Sequence, residues 1–157
     1  MEPVLSIEIN GKPFKAIGNR CLLDGHLAGL LCSRKCPADK ILEAYDQFKE
    51  WAANPETTII GSFHSPVEKE CLRLLLKGQA NIIFCPAREI EHMQISKDWK
   101  PALDSNRMLI LSPFTEKRTD RHTAQERNKL VLQLADTLYV PFSTPGGALE
   151  MLVGEAG

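Results

Sequence analysis

TTIIGSFHSPVEKECLRLLLKG, running from Thr57 to Gly78, holds a complete strand–loop–helix unit. Thr57-Thr58-Ile59-Ile60 is short, β-branched and apolar, the pattern of a strand covered on both faces. Gly61 breaks that run. Ser65 suits an N-cap, Pro66 suits the first helical position, and Glu68 completes a Ser-x-x-Glu capping box, so the helix start is marked independently by each. The helix is expected to end at Gly78, read as a left-handed stop. The loop of Gly61, Ser62, His64 and Ser65 would then sit on free backbone N–H groups at the positive end of a helix dipole, which is an anion site. The plainer alternative is a tight turn followed by a cap.

Outward from this unit, strand, loop and helix repeat. Leu27 to Leu31 reads as a buried strand and Ser33 to Cys36 as a loop. Pro37 to Trp51 reads as a helix with Ile41, Leu42, Tyr45, Phe48 and Ala52 on its inner face. Asn81 to Cys85 is a third strand, leading into Pro86-Ala87-Arg88 and a polar segment compatible with a short helix. Met108 to Leu111 is a fourth, ending in Ser112-Pro113-Phe114. Thr123 and Glu126 read as a second capping box, opening a helix through Leu134. Thr137 to Phe142 is a fifth strand. It ends in Pro145-Gly146-Gly147, before a last helix that begins at Ala148. Near the N-terminus, Asn10-Gly11 between Val4–Ile9 and Phe14–Ile17 signals an antiparallel hairpin on the edge of the sheet.

These elements predict an α/β, Rossmann-like, doubly wound and mainly parallel sheet of about five strands with an N-terminal β-hairpin. At 157 residues, 43% hydrophobic and 25% charged, the chain is expected to form one domain, with the hairpin in residues 1–20 and a ligand-binding core in residues 27–157. The net charge of −1 gives no global attraction to a polyanion, so such binding would need a local cluster of Arg and Lys. No apolar run approaches the roughly 18 residues of a membrane span, and no signal-peptide pattern opens the chain. A cytoplasmic protein without membrane contact is expected. Five cysteines, mostly in or beside apolar runs, suit a reduced compartment. Cys32-x3-Cys36 has no second pair at ligand spacing, so no metal and no cofactor are predicted.

In doubly wound sheets ligands bind outside the carboxyl ends of the strands. Each unusual loop here follows a strand: Ser33-Arg34, Gly61 to Ser65, Pro86 to Arg88, Ser112-Pro113 and Pro145 to Gly147. With the helix at 123–134 beginning at the second box, Arg127 and Asn128 fall in its first turn, where an Arg opposes the dipole and is better explained by a ligand phosphate. The candidate ligand-binding set is therefore Ser33, Arg34, Gly61, Ser62, His64, Ser65, Pro86, Arg88, Ser112, Arg127, Asn128, Pro145, Gly146 and Gly147. His64 is able to titrate near neutrality, yet a turn histidine that bonds locally is the simpler reading, and no catalytic residue is assigned. Neither a P-loop nor a Gly-x-Gly-x-x-Gly fingerprint is present.

Taken together, these strand ends resemble the Rossmann-like superfamily of bacterial DNA-processing, recombination-mediator proteins and lysine-decarboxylase-like phosphoribohydrolases. The likeness covers about Leu27 to the C-terminus and is closest to the core domain of the DNA-processing proteins. Cys32-Ser33-Arg34 is similar to their Gly-Ser-Arg, and Ile60-Gly61-Ser62 to their Ser-Gly loop. Leu111-Ser112-Pro113 occupies the place of their Ser-Glu-x-Pro, and Glu126-Arg127-Asn128-Lys129 that of their Arg-Asn-Arg helix. The resemblance implies single-stranded DNA or a nucleotide-type small ligand as partner, and leaves a homodimer open. The phosphoribohydrolases share Arg127 and the Pro145-Gly146-Gly147 loop, but their catalytic carboxylate would fall at Val153, with Glu150 three residues early. A small hydrolase of nucleotide N-glycosidic or phosphate bonds, using His64 or Glu150, is the alternative.

Overall fold

The computed structural model describes residues 3–156. Its strands are β1 (Leu5–Ile9), β2 (Lys12–Gly18), β3 (Leu27–Leu30), β4 (Thr58–Gly61), β5 (Asn81–Phe84), β6 (Met108–Ser112) and β7 (Thr137–Tyr139). The helices are α1 (Ala38–Ala53), α2 (Pro66–Lys77), α3 (Lys100–Asp104), α4 (Arg121–Leu134) and α5 (Ala148–Ala156), with 3-10 turns at Arg20–Asp24 and Lys97–Trp99. Among the described residues the strands form one mixed sheet in the order β1-β2-β6-β5-β4-β3-β7. Its β6-β5-β4-β3-β7 portion is parallel throughout.

The strand count is thus seven, against the expected five. Both hairpin strands belong to the sheet, because β2 runs antiparallel to β6 from Lys15↔Ser112 to Gly18↔Leu109. Asn10 (φ 52°) and Gly11 (φ 79°) take the paired left-handed conformation of a tight hairpin turn, and β1 is left as the mostly exposed edge.

Alternation along the strands builds two cores. One face of the sheet packs Leu30, Ile59, Ile82 and Ile110 against Ala44 and Phe48 of α1 and Cys71 and Leu75 of α2. The other packs Leu27, Leu31, Ile60, Ile83 and Leu109 against Leu130 and Val131 of α4 and Leu149 of α5. From β3 through β6 each new strand is added in one direction, and β7 then returns to the far side of β3. The strand order therefore reverses between β3 and β7, where doubly wound sheets open their crevice.

Several local expectations are corrected. On α1, Ile41 and Leu42 are exposed, and the small Ala44 faces inward with Phe48 and Ala52. Gly78 is not left-handed, with φ −97°; glycine is needed because a Cβ there would lie 2.3 Å from the Ala52 carbonyl oxygen. The polar segment after Arg88 forms no helix before the turn at Lys97, and β7 stops at Tyr139 rather than Phe142. α4 starts two residues before Thr123: Asp120 is its N-cap, its carboxylate accepting from Thr123 N–H at 2.8 Å while Thr123 Oγ1 accepts from Asp120 N–H at 2.9 Å. Arg127 and Asn128 accordingly lie in the second turn, past the reach of the dipole argument. Among the described residues no helix is long and apolar enough to cross a membrane.

Candidate functional site

At the end of β4 the chain turns sharply, and Phe63 takes a left-handed φ of 49° while buried against Phe84, ring centroids 5.8 Å apart. A non-glycine residue held in this region costs roughly 1–3 kcal/mol and persists only where its surroundings fix it. The turn aims both serines inward. Ser62 Oγ donates to Glu68 Oε1 at 2.8 Å and Ser65 Oγ to Glu68 Oε2 at 2.6 Å, while Glu68 N–H donates to Ser65 Oγ at 3.4 Å. The expected cap on α2 is present, and it also holds a carboxyl group that is only 4% exposed. Burial pushes Glu68 above the usual carboxylate range, opposed by the two serine hydroxyls and by the charge of Arg127.

Arg127 reaches the same place from α4 and is 5% exposed. Its Nε and Nη2 donate to Asn128 Oδ1 at 3.3 and 3.2 Å. It enters no ion pair within 4.0 Å among the described residues. Burial lowers its proton affinity, partly offset by Glu68 and Cys85. His64, exposed on the loop, is also held below its ordinary pKa, by burial first and then by the charges of Arg127, Lys69 and Arg34. The loop therefore sits in a positive field. No carboxylate partners His64 among the described residues.

The adjoining wall is the splice between β3 and β7. Leu31 N–H donates to the Tyr139 carbonyl at 3.2 Å, Ser33 N–H to the Phe142 carbonyl at 2.9 Å, and Thr144 N–H to Ser33 Oγ at 2.9 Å. Gly146, at φ 74°, turns the chain into α5, and its N–H donates to Glu150 Oε1 at 3.1 Å. Glu150 is thereby occupied in capping its own helix. Between these walls lies a cleft of about 390 Å³ lined by Ser33, Arg34, Lys35, Glu68, Asn128 and Gly147.

The cleft thus gathers part of the expected set, with Arg127 bonded to its Asn128 and Ser62 and Ser65 behind its Glu68. It does not gather Pro86, Arg88 and Ser112. Pro86 is buried. Arg88 turns onto its neighbour, with Nη2 to Glu89 Oε1 at 3.2 Å and Nε to the Glu89 carbonyl at 2.9 Å. Ser112 Oγ donates to the Arg88 carbonyl at 2.5 Å. Ser112, with Glu89 and His92, borders a separate cleft of about 330 Å³ between the hairpin and the segment from Ser112 to Lys117. Sequence reasoning missed Lys35 and Glu68. The signal for Glu68 was present, but Ser-x-x-Glu is fully accounted for by a cap. Among the described residues no His, Cys, Asp and Glu group could hold a metal, and every cysteine is a free thiol.

No protein-family model matches the sequence, and no curated protein matches it. Solved structures do match. The chain shares the fold of DNA processing protein A. With that protein from Helicobacter pylori, a structure that gave insight into its unique mode of binding single-stranded DNA, the TM-score is 0.74 at 15% identity, over 99% of this chain and 80% of the other. With DNA processing protein A from Streptococcus pneumoniae the TM-score is 0.74 at 15% identity, over 99% of this chain. This chain spans 59% of that longer one.

Proposed function

We propose that the cleft at the β3/β7 switch binds phosphate groups, as a nucleotide-type ligand or as the backbone of single-stranded DNA, in a DNA-processing, recombination-mediator-like role. The observation that carries this reading is Arg127. A buried charge is retained in proteins where it is paired or bonded, and this guanidinium has an amide oxygen as its side-chain partner and no carboxylate in ion-pair range. A phosphate oxygen entering beside Asn128 would supply the missing anion. Arg34 and Lys35 line the same cleft, together with Ser33 and Gly147. Single-stranded DNA is favoured among polyanions because the H. pylori protein of the same fold binds it. The test is fluorescence anisotropy of a labelled oligothymidylate. Binding is expected, with log affinity falling linearly in log salt. Affinity indifferent to salt, or no binding together with no thermal shift from a nucleotide panel, contradicts the proposal.

A second reading, a small hydrolase acting on a nucleotide N-glycosidic or phosphate bond, is favoured by Glu68, the one carboxyl lining the cleft and one that burial inclines to keep its proton. It replaces His64 and Glu150 as the acid of that alternative. Turnover of a nucleoside monophosphate by the wild type and none by Glu68→Gln is the expected result. Equal turnover by both excludes Glu68 as the acid.

A further inference from the structure

The outer side of α2 carries Lys69, Arg73 and Lys77 at four-residue spacing, each about 6 Å of helical rise from the next and aligned on one face. All three are exposed. Opposite them stand Lys97, Trp99 and Pro101, and the two walls enclose a groove of about 580 Å³. Four cations line it against one carboxylate, Asp98. Arg73 is engaged by Glu70 on its own helix. Lys69, Lys77 and Lys97 enter no ion pair among the described residues. In a chain of net charge −1, this is the local cluster that polyanion binding requires.

The groove also has an aromatic wall continuous with the strand-end loop. Trp99 is half-buried and packs on Phe84 with centroids 5.0 Å apart, and Phe84 packs on Phe63 at 5.8 Å. Lys69 acts on His64 together with Arg34 and Arg127, so the upper end of the groove shares the field of the cleft.

We propose that this groove carries the sugar-phosphate chain of single-stranded nucleic acid away from the strand-end cleft along α2, with Trp99 as a base-stacking platform. The inference rests on the phosphate-binding reading of the cleft. A row of lysines follows a regularly charged chain, and an indole stacks on a base only where that base is unpaired, which selects a single strand over a duplex or an acidic protein.

The test uses the Trp51→Phe protein, in which Trp99 is the only indole. Oligothymidylates of roughly four and roughly sixteen nucleotides are titrated against it, bracketing short and long site sizes. The long strand is expected to bind more tightly and to quench Trp99 fluorescence. Changing Arg73, Lys77 and Lys97 together to Ala should weaken the long strand about tenfold or more, lower its salt slope by about 2 and leave the short strand unaffected. The same charge loss at Lys12, Lys40 and Lys49 should do less. If the triple variant binds the long strand as the wild type does while the short strand still binds, the groove is overturned and the cleft stands. A long strand that binds without quenching Trp99 overturns the stacking platform. Failure of the wild type to bind either length overturns both.

Discussion

The two halves of the strand-end edge are built from the same strand-loop pattern and treat their charges in opposite ways. At the β5/β6 half, Arg88 pairs with Glu89, and Glu89 also accepts from His92 N–H at 3.0 Å with His92 Nδ1 3.4 Å away. That carboxyl is held below its ordinary range: burial alone would raise it, but the His92 backbone and the neighbouring charges outweigh burial. At the β3/β4/β7 half, Arg127 is buried without an ion pair, Arg34 and Lys35 line the adjoining cleft, and the one carboxyl lining it, Glu68, is turned onto two serine hydroxyls. One half has neutralised itself and the other has not. An anion gains most where a preformed cation has no competitor, so the location of uncompensated charge separates a binding edge from a structural one.

The largest difference is expected when the buried cation is removed on one side and the paired cation on the other. Arg127→Met should weaken oligothymidylate binding about a hundredfold, in keeping with loss of a buried charge-assisted contact of about 2–5 kcal/mol. Arg88→Met should change it less than about threefold, because that guanidinium already has its carboxylate. Similar losses in the two variants, measured by anisotropy with folding checked by circular dichroism, would erase the distinction. A smaller effect is expected of Arg34→Ala, about tenfold in affinity with the salt slope reduced by about 0.7, since one exposed phosphate contact is lost.

The smallest effect concerns Glu68. Burial raises its carboxyl above the ordinary 4.5, so the folded chain holds this proton more tightly than the unfolded chain does. Its contribution to stability is full below about 4.5 and is lost as pH rises through the raised value. Glu68→Gln removes that loss. The urea midpoint of the variant should therefore gain on the wild type as pH climbs from about 4.5 towards neutrality, and oligothymidylate should bind the variant at least as tightly. A midpoint difference that stays flat with pH would show that the buried carboxyl is not the titrating group.

Much of this arrangement is legible in the sequence. The Ser65 cap and the Asn10-Gly11 turn are set by short-range chemistry and stand where the residues predict, while β4 runs from Thr58 through Gly61, which pairs with Leu30 and Phe84 instead of breaking the strand. What could not be read depends on long-range geometry. β2 joins β6 across some ninety residues of chain, and no local pattern announces that pairing. The inner face of α1 is chosen by the fit of Ala44 and Phe48 rather than by the larger Ile41 and Leu42. Arg127 is singled out by the sequence for the wrong reason. Thr123 and Glu126 imitate a box that Asp120 and Thr123 in fact form, and Arg127 is notable for its burial rather than for opposing a dipole. Glu68 stays hidden because a cap explains it completely until its hydroxyl partners are seen.

The division of the edge is tested most directly by mapping backbone amide shifts as single-stranded oligothymidylate is added to isotopically labelled protein. The account predicts the largest perturbations at Ser33, Arg34, Asn128, Thr144 and Gly147, with little change from Ser112 to Lys117. Perturbations centred on Ser112 to Lys117, with the β3/β7 loops unmoved, would contradict it.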